Sequence, residues 1–368
     1  MPLLHTPIIR KLTAFLVALT LSSLAMALDF EQTQILANQG NAEAQTNLGV
    51  MYVSGSEVSQ DYAKAFEWYT KAANQGYAKA QVNLDYMYET GTGVPQNYAK
   101  AIEWYTKSAN RGDVVAQSNL GIMYDKGEGL PQDYSKAFEW FTKAANQGDL
   151  NAQFNLGNMY FKGEGVRQDH IKAFEWYTKA ATQGYTDAQF NLGEMYRDGE
   201  GVHQNYAKAI EWYTKASNQG NASAQVNLGI MYDKGEGVPQ NYAKAFEWYT
   251  KAANQGNANA QFNLGIMYDK GKGVPQNYAK AIEWYTKSAN QGDADAQYAL
   301  GYMYNNGTGV PQNYAKAIEW YTKSANQGDA DAQYALGVIY ETGTGVRQDY
   351  AKATKWYQKA AESKDLSD

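Results

Sequence analysis

Catalysis and metal binding draw on a small set of side chains, and this chain is poor in them. It has no Cys and three His among 368 residues. His5 lies in the first, leader-like segment, His170 stands where other copies of an internal repeat have Tyr, and His203 stands where they have Pro. Their places differ in kind, so no metal pair is predicted. The acidic loop Asp125-Lys126-Gly127-Glu128-Gly129 resembles a calcium loop only on the surface, because it lacks the number of oxygen ligands that calcium takes, and it reads as a solvated turn. No Gly-x-Ser-x-Gly or Ser-x-x-Lys frame supports a Ser nucleophile. No cofactor or catalytic residue is called for. Plentiful instead are aromatic side chains, 31 Tyr, 11 Phe and 9 Trp, whose chemistry is apolar packing and recognition.

These aromatics are placed by a repeat. From Asn41 the chain runs through nine copies of a 36-residue unit, opening at 41, 77, 113, 149, 185, 221, 257, 293 and 329, with no insertion or deletion. A fixed period of this size marks a solenoid. In the first copy Ala44, Leu48, Met51 and Tyr52 fall on one face of a helix, here helix A, which should stop near Gly55 at the Gly-rich loop. Helix B begins at an Asn or Asp in every copy, from Asp61 to Asp349, a residue able to cap the exposed first-turn N–H groups. Tyr62, Ala65, Phe66, Tyr69, Ala72 and Ala73 make its apolar stripe, Trp68 sits at the stripe's edge, and Gly76 supplies the left-handed residue that ends it. Glu67 and Lys71 are spaced as an i,i+4 pair. One hairpin cannot cover its own aromatics, so stacking against neighbours must stabilise it. The expected fold is all-α: an αα-hairpin solenoid of nineteen helices, eighteen from the hairpins and one from a half-repeat at residues 28–40 that aligns with helix B.

Where near-identical copies differ, the difference marks a face. On helix A the variable positions fall roughly 140–240° from Leu48 at about 100° per residue, opposite the packing side. At the positions of Thr46 and Val50 the later copies carry Val82, Tyr86, Ile122, Phe154, Phe190, Val226, Ile230, Phe262, Ile266, Tyr298, Tyr302 and Tyr334. Two readings follow: an apolar, aromatic groove for a protein or peptide ligand, flanked by Asp125, Lys126, Asp233, Lys234, Asp269 and Lys270, or side chains that pack between adjacent A helices. A ladder of Asn from Asn47 to Asn263 gives way to Ala299 and Ala335. It either bonds a ligand backbone or ties neighbouring helices together.

The ends of the chain are different. Arg10 and Lys11 precede the apolar run Leu12–Ala27, which closes on Ala25-Met26-Ala27, the pattern of a signal-peptidase site. We expect a leader over 1–27, cleaved after Ala27, a capping half-repeat over 28–40, repeats over 41–364 and a frayed tail at 365–368. The run is short and polar for a membrane span, so no integral span is expected after cleavage. Losing the leader leaves 30 basic against 38 acidic residues, a net charge of −8, which disfavours nucleic acid as a partner. In the last copy Thr354, Lys355 and Gln358 replace apolar, acidic and Thr residues, as suits an exposed terminal helix.

The recurring residues, Ala-x3-Leu-Gly-x2-Tyr-x2-Gly-x-Gly-Val followed by Lys-Ala-x2-Trp-Tyr-x-Lys-Ala-Ala, resemble the Sel-one-like repeat family, a branch of the tetratricopeptide-repeat group. Departures are few: Asp85 replaces the helix-A Gly, Glu57 the second loop Gly, and Arg167, His203 and Arg347 the loop Pro. The resemblance implies a right-handed superhelix with helix A on the inner curve, and a scaffold or adaptor for other proteins. Exported bacterial members of such a family act in the cell envelope or on a host, which implies a periplasmic or secreted chain. Some cysteine-rich relatives are associated with binding or hydrolysing penicillin-type compounds, which gives an envelope hydrolase as the alternative function. Their cysteines are absent from this chain. A purely structural spacer is a third reading.

Overall fold

The computed structural model of the chain describes residues 29–365. The predicted leader, its cleavage position and residues 366–368 of the predicted tail lie outside the described residues. Among those residues there are nineteen α-helices and no strand. The half-repeat is α1 (Phe30–Asn38). The A helices are α2 (Ala42–Ser54), α4 (Ala78–Thr90), α6 (Val114–Lys126), α8 (Leu150–Lys162), α10 (Thr186–Asp198), α12 (Ala222–Lys234), α14 (Ala258–Lys270), α16 (Ala294–Asn306) and α18 (Ala330–Thr342). The B helices are α3 (Tyr62–Asn74), α5 (Tyr98–Asn110), α7 (Tyr134–Asn146), α9 (His170–Thr182), α11 (Tyr206–Asn218), α13 (Tyr242–Asn254), α15 (Tyr278–Asn290), α17 (Tyr314–Ala325) and α19 (Tyr350–Asp365).

The helix ends follow from local chemistry. Each B helix is capped by the predicted Asp or Asn, whose Oδ1 accepts from the N–H three residues on at 3.0 Å, as at Asp61, Asn205 and Asp349. Seven A helices are capped likewise, with Asn221 accepting from Ala224 at 2.8 Å, whereas Tyr77 and Tyr185 give no side-chain cap. Every A helix ends on a Gly with φ between +67° and +79°, a conformation that costs other residues a Cβ clash. The Gln after the loop then closes it, with Gln240 Nε2 donating to the Asp233 carbonyl at 2.7 Å.

The chain divides into two compact bodies, up to Lys179 and from Ala180 onward, the division falling inside α9. In the first, α1 to α8 pack each on the next; in the second, α10 to α19 do the same. Each body is an all-α repeat stack, as the period predicts. The core of each is a series of layers made by one B helix and the A helix after it. Ala245, Tyr249, Ala252 and Ala253 of α13, for instance, meet Ala260, Leu264 and Met267 of α14. Helix-A Gly residues let the paired rings approach: a Cβ on Gly229 would stand 2.4 Å from Tyr249 Cε1.

Two features of the packing stand out. Tyr, not Trp, is the fully buried aromatic of helix B: Tyr213 is 0% exposed while Trp212 is only half-buried. Trp lies at the stripe's edge, where one side packs on a layer, as Trp284 does on the α13–α14 layer, and the other is covered by a Lys three residues on, 3.7–4.6 Å from the ring centroid throughout. The second feature is a spine of buried Gln. Gln225 Nε2 donates to the Ser217 carbonyl of the preceding B helix at 3.3 Å, and its Oε1 accepts from Gln255 at 2.8 Å. Each such Gln adds a second bond to a last-turn carbonyl that also accepts from the Gly three residues on, as Ser217 does from Gly220 at 3.0 Å. Where Arg111 replaces the second Gln, its guanidinium turns to the Gly76 carbonyl at 2.8 Å, and Gln81 Oε1 is left without a partner.

Candidate ligand-binding face

Stacking divides the predicted A-helix face into covered and open parts. In the first body Phe154 of α8 is buried at 5% exposure, and Val82, Tyr86 and Ile122 are half-buried. In the second, Val226 is buried at 6%, and Phe190, Ile230, Phe262, Ile266 and Tyr298 are half-buried. Only Tyr302 and Tyr334, at 52% and 57%, stand largely open to solvent. A helix side chain leans toward its own N-terminus. The ring at this position thereby rests on the B-helix Tyr of its own repeat: Phe154 on Tyr177, Phe190 on Tyr213, Phe262 on Tyr285, Tyr298 on Tyr321 and Tyr334 on Tyr357, with centroids 5.4–5.9 Å apart. Phe262 and Ile266 also pack on the layer of α15 and α16. Phe154 and Val226 therefore belong with the packing reading, and the half-buried residues present one edge only.

Between the apolar side chains runs a line of polar contacts. Tyr105 donates to Glu89 Oε2 at 3.0 Å, Tyr177 to Asn158 Oδ1 at 2.7 Å and Tyr357 to Glu341 Oε2 at 2.7 Å. The fullest group surrounds Glu194 of α10. Its carboxylate takes the Tyr213 hydroxyl, both Arg197 Nη groups at 3.0 Å and Asn227 Nδ2 at 2.6 Å. Burial nevertheless holds the Glu194 carboxyl above its ordinary range, against the lowering by Tyr213 and Arg197, and burial with the nearby Glu194 charge raises the Tyr213 hydroxyl. Asn227 belongs to the predicted Asn ladder, and here it ties one A helix to its neighbour.

One position departs from this pattern. Asp85 of α4 stands where the other A helices have Gly; it is 0% exposed, and neither carboxylate oxygen has a hydrogen-bond partner. Burial first, then Asp113 and Glu89, raise its carboxyl well above the ordinary value.

For catalysis the described residues offer little. No group of three or more His, Cys, Asp or Glu among them could hold a metal ion. His170 stacks on Phe161 with centroids 4.8 Å apart, and His203 is exposed. No helix among the described residues is long and apolar enough to cross a membrane.

The Sel1 repeat model matches the chain nine times in succession, from residues 42–77 to 330–365, one residue out of step with the copies read from the sequence. The chain belongs to the Sel1 repeat family. Among solved structures, this Sel1-repeat chain is similar to a protective antigen present in uropathogenic Escherichia coli strains, which displays an SLR fold, at 43% identity over 91% of this chain and 72% of that one, with a TM-score of 0.84. It is also similar to a Sel1 repeat protein from Oxalobacter formigenes, at 35% identity over 89% of this chain and 94% of that one, with a TM-score of 0.68. No curated protein sequence matches it. Sel1-repeat proteins are generally protein-interaction scaffolds, and the fold is generally non-catalytic.

Proposed function

We propose that this chain is an exported, non-enzymatic scaffold that binds a protein or peptide partner through the exposed edges of its A helices. One observation carries the reading: the repeats differ at the A-helix face while the layer residues, such as Leu228, Tyr249 and Ala252, stay nearly constant and buried. Residues that only pack are held alike by stacking, whereas a recognition face needs variety. Export to the periplasm or beyond rests on the apolar run Leu12–Ala27 and its Ala-x-Ala ending. The protective antigen of E. coli is in keeping with an exported chain.

Two measurements test it. N-terminal sequencing of the chain recovered from the cell envelope is expected to begin at Leu28. Photo-crosslinkers placed at Ile230 and Ile266 should capture one discrete partner that a crosslinker at Glu211, on an exposed B-helix flank, does not. Capture at Glu211 alone, or retention of the leader in a cytoplasmic protein, overturns the reading.

A further inference from the structure

Along the second body the A helices change in charge. Earlier ones pair acid with base: Arg197 beside Glu194 in α10, and Asp269 with Lys270 at 3.0 Å in α14. α16 and α18 carry Asp295, Asp331 and Glu341 and contain no Lys or Arg. Their N-caps add two further acids, Asp293 and Asp329, each accepting a backbone N–H. In the same two helices Ala299 and Ala335 replace the Asn of the ladder, and Tyr302 and Tyr334 are the most exposed rings of the A-helix face.

These groups act on one another. Burial, then Asp331, Asp329 and Tyr302 raise the Tyr298 hydroxyl, and Asp295 and Asp331 add to the raising of Asp329 by burial. Among the described residues, Asp293, Asp295, Asp329 and Asp331 make no ion pair. Lys270 of the preceding repeat comes near Tyr302, and its ammonium is held by Asp269. Aromatic faces beside uncompensated carboxylates attract cations twice over, through the ring quadrupole and through the charge.

We propose that the face of α16 and α18 is a docking surface for a Lys- or Arg-bearing peptide segment, with cations against the Tyr302 and Tyr334 rings and paired with Asp295 and Asp331. This deepens the scaffold reading and rests on it, by giving the partner a chemistry.

The test is fluorescence anisotropy with a fluorescein-labelled peptide of alternating Lys and Gly, and with its Glu–Gly counterpart. The chain is expected to bind the first and not the second. Tyr302→Ser with Tyr334→Ser leaves the net charge unchanged and should weaken binding roughly 5–30-fold, the loss of two cation–π contacts. Tyr302→Phe with Tyr334→Phe keeps the rings and should restore affinity. Asp295→Asn with Asp331→Asn should weaken binding and flatten its salt dependence. Ser135→Ala, at an exposed B-helix position of the first body, should change nothing, and circular dichroism checks that each variant is folded. Equal affinity of the wild type and the Ser pair overturns the proposal, since attraction would then come from net charge alone; so does equal binding of the Glu peptide. A partner captured at Ile230 but indifferent to both the Tyr and the Asp pairs overturns this inference and keeps the scaffold reading. No A-face capture at all overturns the scaffold reading, and with it this one.

Discussion

Replacing Asp85 by Gly should make the protein more stable. Asp85 is fully buried with neither oxygen bonded, and an unsatisfied buried polar group costs about 1–3 kcal/mol, more when charged. Its side chain also occupies a site that the other repeats leave empty, where a Cβ on Gly193 would stand 2.5 Å from Tyr213 Cδ1. Against this, Gly is worse than Asp in a helix interior by only ~0.3–0.5 kcal/mol. The net expectation is a gain of about 2 kcal/mol or more. At ~2–4 °C per kcal/mol for a cooperative unit of this size, Tm should rise by roughly 4 °C or more. Asp85→Asn separates charge from bulk. Because the folded-state carboxyl is raised above 3.8, the folded protein holds its proton to higher pH than the unfolded chain does. Stability is therefore lost as pH rises from near 3.8 through the raised value, and is lowest above it. Urea unfolding followed by circular dichroism between acid and neutral pH, with hydrogen exchange read over residues 78–110, should show this loss in the wild type and not in Asp85→Asn. A Gly variant less stable than the wild type, or an Asn variant with the same pH dependence, would refute the reasoning.

Gly229→Ala should destabilise by ~1–3 kcal/mol in urea unfolding, because its Cβ would stand 2.4 Å from Tyr249 Cε1 and the ring must move. Gln225→Ala removes the bond to the Ser217 carbonyl and the one from Gln255, and should cost ~1–3 kcal/mol by the same measurement. Trp212→Ala, on a half-buried ring, should lower Tm by less than Tyr213→Ala, for which about 3–5 kcal/mol is expected as for other buried aromatics. Phe262→Ala should lower Tm measurably because its ring packs 5.7 Å from Tyr285, whereas Tyr302→Ser should leave Tm within about 1 °C.

The sequence by itself determined the elements and their order. Local rules act within a few residues, so the Asp or Asn caps, the left-handed Gly and the apolar spacing mark the helices, and exact recurrence makes one hairpin stand for nine. The variable face of helix A was legible for the same reason. What the sequence did not decide was how much of that face the neighbours cover. Phe154 and Tyr334 occupy the same place in the repeat and each rests on a helix-B Tyr, yet one is buried and the other open, because exposure depends on what packs alongside. The apolar spacing put Tyr in the helix-B stripe and Trp at its edge, and only the packing showed that Tyr213 is fully buried while Trp212 keeps a Lys over its outer face. The Gln spine was equally hidden. Gln225 reads as a polar residue on an apolar stripe, and its two partners lie 8 and 30 residues away, brought within hydrogen-bond reach only when the hairpins stack.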